Sequence, residues 1–157
     1  MRVLAIDPGF ERIGIALLDK AHKPVLVHSE CFKTKSTLPF PERLLLLGTK
    51  IKNLIKEFSP DVMAVEKLYF EKNKKTALGV AEARGVIVYE GVRATLPLYN
   101  YTPLEVKVAV TGYGKATKSQ VISMVPKLVV TQKSITSDDE MDAIAIGITC
   151  LARERFR

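Results

Sequence analysis

The sequence predicts an α/β domain, in which one largely apolar sheet is covered by helices. Three apolar runs, Val3 to Ile6, Ile13 to Leu18 and Val25 to Phe32, follow one another through short connections. Because such short connections cannot cross over a sheet, these three strands should form an antiparallel meander. Two further apolar runs occur later in the chain and are separated by long segments of helical periodicity. We therefore expect five strands in one sheet flanked by helices.

The first strand ends on a carboxylate, Asp7, which is followed by Pro8 and Gly9. An apolar run that stops on an acid and then turns delivers that acid to the end of a buried strand, where a site can form. Asp and Gly also suit turns on their own, so a capping role for Asp7 is the alternative. Further acids in matching positions, at Glu66 and near Asp142, favour the functional interpretation.

A helix and a fourth strand follow the meander. Apolar residues recur at helical spacing from Pro39 to Phe58, which predicts a helix that covers the sheet. Ser59-Pro60-Asp61 ends this helix, and Val62 to Val65 forms a short buried strand that stops on Glu66. Glu66 is therefore a second acid at the end of a buried strand.

The next helix, from Thr76 to Val92, is small or apolar almost all round. A helix that is apolar on more than one face must be covered on more than one face, and a chain of 157 residues has few elements left to do so. We expect a homodimer with this helix at its centre. The alternative is that loops and other helices of the same chain cover its second face. Leu96 to Tyr101 then forms the fifth strand.

Short helices are expected after Pro103 and from Ser119, and the last helix begins near residue 137 with three consecutive acids. Ser137 and Glu140 have the spacing of a capping box, and acids in a first turn suit the helix dipole, so they need no active site to explain them. Asp142 differs because it lies beside the buried stripe, where an unpaired carboxylate is costly. A cation is its simplest partner. Asp138 and Asp139 precede Asp142 by four and three residues, so either could share a face with it.

The chain is basic, with a formal net charge of +7, which favours a polyanionic partner, nucleic acid before an anionic membrane. The segment from 67 to 75 interleaves aromatic and basic side chains: Lys67, Tyr69, Phe70, Lys72, Lys74 and Lys75. This combination suits stacking on bases while neutralising phosphates. A solvated loop with two aromatic rings tucked into the core is the alternative.

A glycine- and lysine-rich stretch from Thr111 to Ser119 superficially suggests a phosphate loop. It fails that test because Ala116 follows Lys115 where Ser or Thr should bind magnesium, and because Ala109 replaces the leading glycine. We expect a basic loop that contacts a nucleic-acid backbone, with a plain surface loop as the alternative.

The length of 157 residues and a hydrophobic content of 47% fit a single domain over residues 1–157. Cys31 and Cys150 follow no metal-ligand or redox spacing, which favours a reduced, intracellular protein. The apolar run before Asp7 is too short for a signal peptide, and no run reaches the length of a membrane span. We therefore expect a cytoplasmic protein without a membrane partner.

The acids Asp7, Glu66, Asp139 and Asp142 are accompanied by no cluster of His or Cys. Oxygen ligands without nitrogen or sulfur select magnesium or manganese over zinc. If the strands of Asp7 and Glu66 are adjacent and parallel, and the last helix packs across them, these carboxylates can hold two metal ions roughly 3.5–4 Å apart. In such a site one ion activates water and the other stabilises the leaving oxygen of a phosphodiester, so no protein nucleophile is needed.

The motifs of this chain are collinear with those of a known family. They are, in order, Asp7-Pro8-Gly9 with Gly14, Val65-Glu66 followed by Tyr69, the run from Ala77 to Gly85, Val106-Lys107, Gly112-Tyr113-Gly114 with Lys118-Ser119-Gln120-Val121, and Asp139-x-x-Asp142-Ala143-Ile144-Ala145. This set resembles the RuvC family, the bacterial Holliday-junction resolvases. The resemblance implies a ribonuclease-H-like fold whose five-stranded mixed sheet has its first three strands antiparallel and its last two parallel to the first. It also implies a homodimer that makes paired, symmetric nicks across a four-way DNA junction in homologous recombination and DNA repair.

The resemblance further implies roles for individual residues. Asp7, Glu66, Asp139 and Asp142 match the family's metal-binding acids, which implies two Mg²⁺ ions per subunit, with Mn²⁺ as a substitute. Either Asp138 or Asp139 could provide the third ligand. Lys107 and Lys118 match the family's basic residues near the cleaved strand, and Tyr69 falls where the family places a stacking aromatic. Together with the basic and aromatic segments of this chain, the residues expected at the DNA are Tyr69, Phe70, Lys72, Lys74, Lys75, Arg84, Lys107, Lys115 and Lys118. Either Tyr69 or Phe70 could stack on junction bases, and the implied protein partner is the branch-migration motor complex of RuvA and RuvB.

Three other functions share some of these features. Asp7-x-Gly9 followed by Gly14 also resembles the phosphate loop of sugar-kinase and actin-like ATPases, but those need a second such loop and a longer chain. A non-catalytic junction-binding protein is a second alternative, against which the intact acids argue because like charges weaken DNA binding unless metal neutralises them. A related nuclease that acts on another branched or RNA substrate is the third.

Overall fold

The computed structural model describes residues 1–68 and 74–154 of the chain. Its elements in chain order are β1 (Arg2–Asp7), β2 (Arg12–Asp19), β3 (Val25–Lys33), α1 (Phe40–Phe58), β4 (Val62–Glu66), α2 (Lys74–Arg93), β5 (Leu98–Tyr101), α3 (Pro103–Thr111), α4 (Lys118–Leu128) and α5 (Asp138–Arg153). Every strand and helix expected from the sequence is present, with bounds that differ by a few residues.

The five strands form one mixed sheet in the order β3-β2-β1-β4-β5. β1 pairs antiparallel with β2, and β2 antiparallel with β3. β4 lies on the other side of β1 and is parallel to it, and β5 is parallel to β4. The expected pairing of the strands is therefore confirmed, and the sheet has the mixed topology of the ribonuclease-H-like fold.

Both faces of the sheet are covered, and strand alternation assigns each residue to one face. On β1, Leu4 and Ile6 pack against α1 and α2, whereas Val3 and Ala5 pack against the face covered by α3, α4 and α5. We call the latter the α5 face, since α5 contributes more of its buried side chains than any other element. Asp7 continues the alternation of Val3 and Ala5 and therefore belongs to the α5 face.

A row of residues crosses the sheet where β1 ends, and we call it the end row: Cys31, Gly14, Asp7, Glu66 and Tyr101. Within this row, three pairs of residues are register partners on neighbouring strands: Cys31 with Gly14, Gly14 with Asp7, and Glu66 with Tyr101. The step from Asp7 to Glu66 lies one residue beyond the last parallel pair of β1 and β4. Residues side by side on adjacent strands point to the same face, so the two acids lie together on the α5 face.

The expected capping box at the start of α5 is wrong. Ser137 is the N-cap, but its side chain makes no capping hydrogen bond. Glu140 is buried and instead accepts hydrogen bonds from Ser29 and Lys133, so its carboxylate is drawn away from the helix end. Capping boxes occur at the starts of α3, with Thr102 and Glu105, and α4, with Thr117 and Gln120.

The outer surface of α2 remains apolar and exposed. Ala83 and Ile87 are buried against the sheet, whereas Leu78 is 70% exposed and Tyr89 is 60% exposed. Leu45 of the neighbouring α1 is also 70% exposed. No other described element of the same chain therefore covers this second face of α2.

Among the helices within residues 1–68 and 74–154, none has the combination of length and apolar character that crossing a bilayer requires.

Candidate active site

A pocket of about 170 Å³ opens on the α5 face at the end row. Its acids come from three elements: Asp7 ends β1, Glu66 ends β4, and Asp142 lies in the second turn of α5. The pocket is lined by Asp7, Glu66, Pro103, Val106, Lys107, Lys118, Val121 and Asp142. The topology thus brings together three of the four predicted acids and both lysines expected near the cleaved strand.

Asp7 and Glu66 lie side by side at the ends of the parallel strands β1 and β4. Burial, followed by repulsion from Asp142, raises the pKa of Glu66 to about 7, although the interaction with Asp7 acts to lower that pKa. Burial followed by repulsion from Glu66 and Asp142 raises the pKa of Asp7 well above its ordinary value. Negative charge is therefore concentrated here beyond what the protein alone neutralises.

Asp142 is partly neutralised by a lysine of the same chain. Nζ of Lys118 lies 2.9 Å from Oδ2 of Asp142 and donates a hydrogen bond to it. This bond raises the pKa of Lys118. Lys118 begins α4 and Lys107 lies in α3, so the two lysines approach the acids from separate helices. Lys115 lies exposed in the loop between these helices.

Asp139 has a different environment from the other three acids. Nη2 of Arg12 lies 2.5 Å from its Oδ2, and Nε of Arg12 lies 2.8 Å from the same oxygen. Cys31 and Ser137 also donate to this oxygen, at 3.4 and 3.3 Å. Burial acts to raise the pKa of Asp139, but the hydrogen bonds from Arg12 and Cys31 outweigh it and lower the pKa. Its neighbour Asp138 is exposed.

The donor chemistry of these acids fits a hard divalent cation. All the candidate ligands are carboxylate oxygens, and Asp7 experiences repulsion from Glu66, Asp142 and Asp139, which a bound cation would relieve. Within the described part of the chain, however, no three Asp, Glu, His or Cys side chains are grouped closely enough to hold an ion. The reason is visible in the contacts: Asp142 is turned to Lys118, and Asp139 to Arg12.

Arg84 has contacts that the sequence did not indicate. Its Nε donates to the backbone oxygen of Glu66 at 3.2 Å, and its Nη2 donates to Oδ1 of Asn100 at 2.5 Å. Arg84 therefore joins α2 to the ends of β4 and β5. Its contact with DNA stays a prediction.

The aromatic and basic segment expected to contact DNA falls largely outside the described residues. Tyr69, Phe70 and Lys72 belong to residues 69–73. Lys74 and Lys75 open α2, and their side chains also lie outside the described part. The choice between Tyr69 and Phe70 for base stacking therefore stays open.

Two further residues shape the site and were missed from the sequence. Arg12 lies on the α5 face because it is two residues before Gly14 on β2, and residues two apart on a strand point to the same face. This alternation could have been read from the sequence. Arg43 is buried in α1 and donates to the backbone oxygen of Phe10 at 2.6 Å. It therefore fixes the turn that follows Asp7, and only its position beside the apolar stripe of that helix hinted at this role.

Comparison with known proteins identifies the family. Residues 3–150 match the family model described as "Crossover junction endodeoxyribonuclease RuvC". The chain is 46% identical over 149 residues to the protein of that name from Halothermothrix orenii, covering 94% of this chain and 90% of the relative. It is 43% identical over 158 residues to that of Petrotoga mobilis, covering 100% and 95%.

Solved structures agree with the sequence comparisons. The structure described as "T. thermophilus RuvC in complex with Holliday junction substrate" superposes with a TM-score of 0.89 at 30% identity, covering 97% of this chain and 93% of that one. The yeast mitochondrial Holliday junction resolvase Ydc2 has a TM-score of 0.70 at 16% identity, covering 96% of this chain and 77% of that one, a likeness of fold alone. Acids at the ends of adjacent parallel strands, a mixed five-stranded sheet and this collinear match lead to one conclusion: the chain belongs to the RuvC family of crossover junction endodeoxyribonucleases.

Proposed function

We propose that this protein is a divalent-metal-dependent endonuclease that resolves four-way DNA junctions by paired, symmetric nicks. The observation that carries the proposal is the pocket at the end row, where Asp7, Glu66 and Asp142 meet Lys107 and Lys118. Carboxylates and lysines in one small pocket suit a phosphodiester, since the acids can hold metal and the lysines can hold phosphate. Residues 1–157 then act as one nuclease domain.

Asp7, Glu66, Asp142 and Asp139 would hold two Mg²⁺ ions, with Mn²⁺ as a substitute. Asp139 is proposed as the third ligand in preference to Asp138 because repulsion from Asp139 raises the pKa of Asp7. Bound ions would supply activation of a water nucleophile and stabilisation of the leaving oxygen. The chain's own contribution is to place the four acids at the ends of β1 and β4 and at the start of α5, so that side-chain rotations can complete the site without movement of these elements.

Lys118 and Lys107 would position that phosphate. Lys118 pairs with Asp142, and a phosphate in the pocket would compete for its ammonium group. Lys115 of the neighbouring loop would contact the backbone farther along the strand. Tyr69 or Phe70 would stack on unpaired bases at the junction, with Lys72, Lys74 and Lys75 neutralising nearby phosphates.

We also propose that two copies associate through the face formed by α1 and α2. A groove of about 380 Å³ separates these helices, and it is lined in part by Leu44, Leu45, Val86 and Tyr89. A second copy would bury the apolar side chains that α2 leaves exposed, and a symmetric pair supplies one site for each of two nicks. Sedimentation equilibrium at micromolar concentration that detects only monomers would contradict this assembly.

The deciding experiment is cleavage of a synthetic four-way junction beside a linear duplex of the same sequence, with Mg²⁺ and with chelator. The proposal expects symmetric nicks, confined to the junction and dependent on metal. Tight junction binding without cleavage in either Mg²⁺ or Mn²⁺ would indicate a non-catalytic binder. Cleavage of the duplex as well would indicate a less selective nuclease.

In the cell, this activity would serve homologous recombination and DNA repair. By family resemblance we place the protein in the cytoplasm, with the RuvA and RuvB motor complex as its partner.

A further inference from the structure

We infer that Arg12 is a positioning residue that holds Asp139 away from the metal site until DNA binds, and that a backbone phosphate of the substrate releases it. The inference rests on the proposed function, since it takes Asp139 to be a metal ligand of a DNA nuclease. It adds a residue that the sequence did not single out. It also accounts for the absence of Asp139 from the described lining of the pocket that holds Asp7, Glu66 and Asp142.

The contact between Arg12 and Asp139 is directed at one carboxylate oxygen. Two nitrogens of the guanidinium donate to Oδ2, at 2.5 and 2.8 Å, and Sγ of Cys31 and Oγ of Ser137 donate to the same atom from longer distances. An oxygen that accepts from these four donors is held on the Arg12 side of the helix end. The carboxylate must leave these donors before it can coordinate an ion beside Asp7.

The backbone of Asp139 is already in place for that coordination. A Cβ atom built on Gly14 would lie 2.0 Å from the backbone oxygen of Asp139, so the start of α5 rests directly on β2 at this glycine. Gly14 is the paired neighbour of Asp7 in the end row. Asp139 therefore lies next to Asp7 along the sheet, and repulsion between the two carboxylates contributes to the raised pKa of Asp7. A rotation of the Asp139 side chain, without movement of the helix, can carry its carboxylate from Arg12 towards Asp7.

Arg12 is accessible to a substrate, whereas its partner is more enclosed. The side chain of Arg12 is 50% exposed and that of Asp139 is 24% exposed. Arg12 begins β2 directly after the turn that follows Asp7. A DNA phosphate offers the guanidinium a bidentate partner that can replace the carboxylate. The same binding event would thus neutralise a phosphate and free a metal ligand.

A double-mutant cycle on Mn²⁺ binding tests this inference without DNA or catalysis. The four proteins are the wild type, Arg12→Ala, Asp139→Asn and the double variant, each titrated with Mn²⁺ and followed by electron paramagnetic resonance. Because an ion pair with an exposed arginine competes only weakly for the carboxylate, Arg12→Ala should tighten Mn²⁺ binding by about 1.4- to 5-fold. In the Asp139→Asn background the same substitution should have a clearly smaller effect, because the carboxylate that Arg12 restrains is no longer present and only the general loss of positive charge remains.

Two features of the design separate this role from general electrostatics. Loss of any positive charge near a cation site would also tighten Mn²⁺ binding, but that effect would persist in the Asp139→Asn background. Arg2→Ala is the matched control. Arg2 of β1 also pairs with an aspartate, Asp19 of β2, at 2.8 Å, and this pair lies at the end of the two strands opposite to Asp7 and Gly14. Arg2→Ala should leave Mn²⁺ affinity unchanged. An equal effect of Arg12→Ala in both backgrounds would overturn the inference.

The DNA half of the inference has its own measurement. Junction affinity is determined in chelator as a function of salt, where Arg12→Ala should lower the salt slope by about one relative to the wild type. An unchanged slope would mean that Arg12 binds no DNA phosphate, and it would contradict this half of the inference. If the wild type cuts junctions and binds Mn²⁺ but the cycle shows no coupling, only the inference fails. If the wild type neither cuts nor binds Mn²⁺, the proposed function fails and the inference with it.

Discussion

Replacing Glu66 by glutamine should stabilise the metal-free protein while abolishing DNA cleavage. Burial, together with repulsion from Asp142, raises the pKa of Glu66 from 4.5 to about 7. Ionised Glu66 therefore has a free-energy cost in the folded state that is absent in the unfolded chain. Glutamine keeps the shape and one hydrogen-bonding oxygen but removes both the charge and the second ligand oxygen. Stability and activity should thus change in opposite directions.

The magnitude follows from the two pKa values. Their difference, from 4.5 to about 7, corresponds to about 3 kcal/mol at roughly 1.4 kcal/mol for each pH unit. Below pH 4.5 the carboxyl group is protonated in both states, and the substitution gains nothing. As the pH rises toward 7 the unfolded chain releases its proton first, so the wild type loses stability relative to the variant. Above pH 7 the full difference applies and should raise the melting temperature by about 6–12 °C.

Thermal unfolding followed by circular dichroism, in chelator at pH 5 and pH 8, measures this difference. The matched control is Glu57→Gln, which removes the same charge from an exposed position on α1 and should change the melting temperature little at either pH. Adding Mg²⁺ at pH 8 should stabilise the wild type more than Glu66→Gln, because the ion relieves the same repulsion. A melting temperature of Glu66→Gln at pH 8 equal to or below that of the wild type would refute the reasoning.

Other substitutions test separate parts of the site. Asp7→Asn should abolish junction cleavage while junction affinity, measured by gel shift in Mg²⁺-free buffer, stays equal or becomes tighter, since one repulsive charge is lost; retained cleavage would remove Asp7 from the site. Lys118→Ala should slow cleavage and lower the salt slope of binding by about one, and an unchanged slope would argue that this lysine touches no phosphate. Arg84→Ala should lower the cleavage rate at saturating junction, because Glu66 loses the support of its backbone oxygen, and a reduced salt slope would instead support the predicted DNA contact. Gly14→Ala should lower the free energy of unfolding by more than about 3 kcal/mol in denaturant titrations, because the added methyl group meets the backbone of Asp139; an unchanged midpoint would mean that α5 can shift freely.

The sheet was predictable because its signals are local. Short turns between the first three strands allow only antiparallel pairing, and apolar runs that stop on Asp7 and Glu66 indicate strand ends. Alternation along each strand then decides which side chains share a face, so two acids at adjacent strand ends must meet. Local information of this kind was enough for the fold and for most of the pocket.

The errors arose where residues distant in sequence compete for the same side chain. Glu140 has the local spacing of a capping box, yet Ser29 and Lys133 draw its carboxylate into the core. The pairing of Arg12 with Asp139 joins residues near opposite ends of the chain, and no local sequence pattern predicts such a pair. The outer face of α2 could not be assigned either, since periodicity reveals that a face is apolar but not what covers it.

The sheet also divides the molecule into two independent surfaces. The acids and lysines lie on the α5 face, whereas the exposed apolar side chains of α1 and α2 lie on the other. Sequence changes on one side should therefore leave the other largely unaffected, so the proposed association and the proposed chemistry can diverge separately during evolution. Arg84 is an exception among the described residues, because it reaches from α2 to the backbone of Glu66. Variation at that position should be constrained by both surfaces at once.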